Sequence, residues 1–229
     1  MRVAIGAPGR LHEVSPMLPF PPALHDDAPQ APPRALPPAH PRASGLRWVA
    51  SFTTHSGEVA VQEGHLYLDP EALRKALKAP DLHGLAPEAA AWKVYTEARV
   101  PLAWRYEALV DLGGGYRART LTELYRAHWA TPPLDAKDPE FVRFIQAIDV
   151  PKSMGDWTEY LLDGPRVHFR MNGGAWITFT DEALARSTVA VDLALLGPEA
   201  RPLRRTLGRI AEGEDPPAPP VRHPRGHPH

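Results

Sequence analysis

The sequence predicts an α+β protein in which antiparallel hairpins are each followed by a helix, with extended proline-rich arms at both ends. Three observations lead there. Short runs of alternating apolar and polar residues are joined by glycine turns, segments of helical periodicity open on acidic caps, and prolines are unevenly placed. Of 28 prolines in 229 residues, eleven lie in residues 1–45 and six in residues 214–229. Proline has no backbone N–H to give to a helix or ladder and pushes its neighbour toward extended backbone. Residues 1–45 therefore read as a proline-rich N-terminal arm and 214–229 as a disordered Pro/His-rich tail. Residues 46–213 are the globular region, with 46–100 and 101–213 as subunits of one core.

Residues 46–68 read as a small meander. Trp48, Ala50 and Phe52, then Val59 and Val61, then Leu66 and Leu68 alternate with their neighbours, and Ser56-Gly57 and Glu63-Gly64 supply turns. Asp69-Pro70-Glu71 opens a helix, because an Asp cap accepts backbone N–H bonds, Pro suits the first turn and a carboxylate suits the positive helix end. A second helix starts at Pro87. Trp104 to Leu112 reads as a strand that turns at Gly113-Gly114-Gly115 into Tyr116 to Arg119, and Thr120-Leu121-Thr122-Glu123 is a capping box for the next helix. Asp138-Pro139-Glu140 repeats the first helix start, with Phe141, Phe144, Ile145 and Ile148 at helical spacing. A short helix is expected over Ser153 to Leu162, then a hairpin from Arg166 to Phe179 turning at Asn172-Gly173-Gly174. A helix follows from Thr180 or Asp181 to Leu196, and another from Pro202 to Ile210. Glycine turn, short strand and capped helix recur at Gly64, Gly115 and Gly174, so tandem ββα units are one reading and ordinary α+β construction the other.

Charge narrows the function classes. The formal charge is −1, and between residues 46 and 213 there are 20 Lys and Arg against 22 Asp and Glu, so no whole-protein field draws the chain to nucleic acid. The absence of Cys removes disulfides, thiolate nucleophiles and Cys-type zinc sites. No stretch has signal-peptide or membrane-span character, which makes the cytoplasm the default. Only five of the basic residues are Lys, a thermophile-like composition.

Local clusters carry the functional expectation. Arg166, His168 and Arg170 alternate with apolar residues, and Arg117 and Arg119 do so on a shorter scale, so each hairpin is expected to turn a cationic face to water. Such ribbons line up guanidinium groups along a phosphate backbone, with Trp176 placed to stack on a base. Arg204 and Arg205 add a basic helix face. The same residues equally suit a solvated strand that guards a sheet edge and a solvated helix terminus. Gly57 to Leu77, two short strands and a helix opening Asp-Pro-Glu-Ala-Leu, resembles the N-terminal DNA-binding unit of phage antirepressor proteins, without a motif that assigns the family.

No catalytic site emerges. His55, His65, His83, His128 and His168 are scattered, and no His-Glu-x-x-His or Gly-x-Ser-x-Gly element occurs. Gly113–Gly115 lacks the Lys-Ser/Thr of a phosphate loop, and His223, His227 and His229 lie in the tail. The resulting expectation is a nucleic-acid-binding or DNA-transaction accessory protein without cofactor or metal. Its alternative is a non-enzymatic assembly protein of a phage or mobile element, whose arms contact a protein partner or a second copy.

Overall fold

A computed structural model describes residues 45–56, 58–113, 122–123 and 137–219. The chain divides into two units, Met1–Ala31 and Pro32–His229, and the described residues all belong to the second. Six strands form one antiparallel sheet in sequence order: β1 (Arg47–Ser56), β2 (Val59–Leu68), β3 (Leu102–Ala108), β4 (Trp157–Asp163), β5 (Arg166–Met171) and β6 (Ile177–Thr180). Five α-helices lie wholly among the described residues: α1 (Pro70–Ala76), α2 (Pro87–Thr96), α3 (Pro139–Ile148), α4 (Glu182–Leu196) and α5 (Ala200–Ala211). The class is thus mixed α+β.

Helix starts follow the local chemistry. Asp69 Oδ1 accepts from the N–H groups of Glu71 and Ala72, and Asp138 Oδ1 does the same for Glu140 and Phe141. Asp181 caps α4 through the N–H of Leu184. Asn172 and Gly173 both take positive φ at the end of β5, as the tight turn there requires.

Three expectations are corrected. The segment 157–163, expected as the end of a helix, is β4: Thr158 to Leu162 are all buried, and a strand covered on both faces shows no alternation to give it away. Glu63-Gly64 is not a turn, since β2 runs through it unbroken. Gly64 is there for space, because a Cβ would lie 2.4 Å from Cζ of Phe52, whose ring covers the bare backbone. β3 ends at Ala108 rather than Leu112 and pairs along both edges, with β2 and β4; the expected hairpin across Gly113–Gly115 to Tyr116–Arg119 falls outside the described residues. Two hairpins do precede helices, β1–β2 before α1 and β5–β6 before α4, but their strands belong to one continuous sheet. The third expected unit, at Gly115, lies outside the described residues.

The helices stand on one face of the sheet. There the ring of Phe52 reaches over Gly64 to meet Tyr106 edge-on at 5.7 Å, Tyr106 meets Tyr160 at 6.1 Å, and Tyr160 meets Phe169 at 5.2 Å. An aromatic row thus crosses from β1 to β5 in the register that pairs Gly64 with both Phe52 and Tyr106. Leu73 of α1, Val94 and Tyr95 of α2, Phe144 of α3, Val189 of α4, and Leu203, Leu207 and Ile210 of α5 close the layer above it. α2 and α5 approach closely because Gly208 leaves room for the backbone and Cβ of Glu88. Among the described residues no helix is long and apolar enough to cross a membrane.

Candidate ligand-binding site

Between sheet and helices, a few polar side chains interrupt the apolar layer. Asp192 lies on the inward face of α4 and is 3% exposed. Tyr95 of α2 donates its hydroxyl to Asp192 Oδ2 at 3.1 Å, and Tyr106 of β3 donates to Oδ1 in a shorter contact. The indole N–H of Trp104, on the same strand face as Tyr106, lies outside hydrogen-bond geometry yet still favours the anion. Burial outweighs all three donors and pushes the Asp192 carboxyl up to about 7. Burial, and then the neighbouring carboxylate, hold both phenols well above the usual tyrosine range, so they remain donors.

A second polar group gathers toward the end of the same sheet face where β2 and β3 end their pairing. Thr54 and Gln62 pair across β1 and β2, Gln62 pairs with the small Ala108 of β3, and Tyr106 pairs with Thr158 of β4. Beyond β3 the chain is joined to the segment before β4 by a bridge between Leu112 and Lys152. Lys152 is 2% exposed and donates from Nζ to Thr158 Oγ1 at 2.8 Å. Thr54 Oγ1 and Gln62 Nε2 are buried without a hydrogen-bond partner. An aromatic and aliphatic wall that ends in buried hydroxyl, amide and ammonium donors is suited to an amphipathic molecule whose head accepts hydrogen bonds.

The opposite sheet face holds four of the eight residues singled out from the sequence, Arg166, His168, Arg170 and Trp176. Arg166, His168 and Arg170 share that face, as their alternation implies, but two of them do not meet water: His168 is 5% exposed and Arg170 4%. Arg170 Nε binds the fully buried carboxylate of Glu159, and Arg105 Nη1 lies 3.9 Å from its other oxygen. The Arg170 guanidinium sits 4.3 Å from the Trp176 ring centroid, and that of Arg105 4.1 Å from Trp157. His168 Nδ1 is bonded to Thr178 Oγ1 at 2.9 Å. These cations are spent inside the protein, on a carboxylate and on indole faces, which removes them from a phosphate backbone. Burial, and then Arg105, lower the pKa of neighbouring His65 to about 4, so that imidazole is neutral near pH 7.

The remaining predicted residues do not join this cluster. Arg204 and Arg205 are on α5, on the other side of the sheet; Arg204 pairs with Glu88 at 2.8 Å and Arg205 is exposed. Arg117 and Arg119 lie outside the described residues. Among the described residues no group of three or more acidic or histidine side chains is placed to hold a metal ion.

Sequence reasoning missed Asp192, Lys152, Thr54 and Gln62. Asp192 did carry a signal, as the single charge in the run Val189 to Leu196. Lys152, Thr54 and Gln62 carried none, because only the strand register brings them together.

No family model and no curated protein matches the sequence. Among solved structures, a fatty-acid binding protein of Arabidopsis thaliana shares the fold, with a TM-score of 0.60 at 15% identity, over 74% of this chain and 91% of that one. This finding overturns the expectation of a nucleic-acid-binding or DNA-transaction protein, the antirepressor resemblance included. The burial of His168 and Arg170 supplies the physical reason, while the alternative of an arm-mediated assembly protein rested on arms that lie almost wholly outside the described residues. At that identity the likeness establishes the fold: a six-stranded antiparallel sheet with helices on one face, shared with a protein that binds fatty acids.

Proposed function

We propose that the protein binds a fatty-acid-like molecule, its chain in the apolar layer between sheet and helices and its head at the polar sheet end. One observation carries this reading. Thr54, Gln62, Thr158 and Lys152 gather at one end of the wall formed by Phe52, Tyr106, Tyr160 and Phe169. The fold shared with a fatty-acid binding protein agrees with it. Each methylene taken from water contributes about 0.8 kcal/mol, so a chain of a dozen carbons supplies enough gross energy for a micromolar complex after its ordering costs.

The experiment is displacement of the uncharged fluorophore N-phenyl-1-naphthylamine by dodecanoate. Wild-type protein is expected to bind the fluorophore and release it at micromolar dodecanoate, and Lys152→Met to need about tenfold more. A wild-type protein that neither binds the fluorophore nor takes up dodecanoate below its solubility limit contradicts the reading.

A further inference from the structure

We infer that Thr54 and Gln62 are the headgroup contacts of this site and that the head they receive is a carboxylate. The inference rests on the proposed lipid-binding reading and goes beyond it in naming the atoms and the chemistry of the head. Thr54 is 6% exposed, and its Oγ1, like Gln62 Nε2, is buried with no partner in the protein. A buried polar atom without a partner forfeits its hydration and gains nothing for it, so folded proteins rarely keep one and very rarely keep two side by side. These two are side by side: they sit directly opposite across β1 and β2, on the helix-side face, and do not bond to each other. The next residue along that face of β2 is Gly64, with the Phe52 ring over it, so the pair adjoins the start of the aromatic row.

Donor chemistry selects the head. A Thr hydroxyl and a Gln amide both offer a proton, and a carboxylate offers two oxygens that only accept. Its span matches two donors held on neighbouring strands about 5 Å apart. A neutral alcohol oxygen can also accept from both, but a carboxylate does so through charge-assisted bonds, which are roughly twice as strong.

Thr54→Val and Gln62→Leu keep the shape of each side chain and remove its donor. Both variants are expected to melt above wild type without ligand, because each loses an unsatisfied polar atom. Both are also expected to bind dodecanoate about tenfold or more weakly while holding N-phenyl-1-naphthylamine as wild type does. A residue with a purely structural role predicts the reverse, a lower melting point and equal losses for both ligands. Gln62→Glu supplies a third arm should a shape-conserving variant fold poorly: a second carboxylate at that point is expected to repel dodecanoate more than the fluorophore. Wild-type binding of dodecanoate that survives all three substitutions overturns this inference alone. Wild-type protein that binds neither ligand overturns it together with the reading beneath it.

Discussion

Asp192→Asn is expected to gain on wild type by roughly 4 kcal/mol as pH rises from 4 to 8. In the unfolded chain this carboxyl ionises near 3.8, whereas in the folded protein burial holds it up to about 7. Between those values the unfolded state gives up a proton that the folded state keeps, so rising pH favours unfolding. The contribution is whole below pH 3.8 and is lost once pH has passed through about 7. Asn cannot ionise, and its amide oxygen still accepts from one of the two phenols. The groups that face Asp192 are Tyr95 from α2 and Tyr106 and Trp104 from β3, with Tyr160 behind Tyr106. The two phenols bonded to it are held well above this range. His65 does titrate there, losing stability as pH falls from 6.5 toward 4, but it does so in both proteins and drops out of the difference. Urea unfolding of the two proteins at pH 4, 6 and 8 measures the effect. A stability difference independent of pH means that Asp192 is not a buried acid.

Glu159→Gln is expected to cost about 3–5 kcal/mol, because it leaves two buried guanidinium groups without their shared carboxylate. Glu159 is fully buried, Arg105 is 4% exposed and Arg170 4%. Burial raises the Glu159 pKa, and the bond from Arg170 and the charges of Arg170 and Arg105 work against that rise. The loss should show in urea unfolding, while dodecanoate binding by the folded variant stays at the wild-type level, since the cluster is on the far face of the sheet. Replacing all three by apolar residues, as in Arg105→Met with Glu159→Leu and Arg170→Met, is expected to recover most of the loss. A single variant within 1 kcal/mol of wild type would show that the cluster is wetter than its burial implies.

What was legible in the sequence was local. The Asp69 and Asp138 caps and the Asn172-Gly173 turn rest on bonds and dihedral angles within a few residues, and the structure has them where the sequence put them. β4 was misread because Trp157, Tyr160 and Leu161 fall at spacings that suit a helix stripe, while Thr158 and Glu159 between them are buried too. Glu159 on an inner face looks polar and outward until Arg170 is known to lie opposite it. The cationic ribbon failed for the same reason. Alternation placed Arg166, His168 and Arg170 on one face, but the covering of that face depends on Glu159 of the next strand and on Trp157 and Trp176. The candidate site was the least legible part, since β1, β2, β3, β4, α2 and α4 each give it one or two side chains, and hydrogen-bonded partners within it lie as many as 97 residues apart, as Tyr95 and Asp192 do.

The central claim is that the helix-side face of the sheet, not the arginine face, receives the ligand. A fatty acid carrying a nitroxide on its chain broadens nearby nuclear magnetic resonance signals, and the indole N–H groups report on both faces at once: Trp104 lies on the helix side, Trp157 and Trp176 on the other. Selective broadening of the Trp104 indole signal, with those of Trp157 and Trp176 unchanged, is the predicted result. Broadening of Trp157 and Trp176 while Trp104 stays sharp would contradict it.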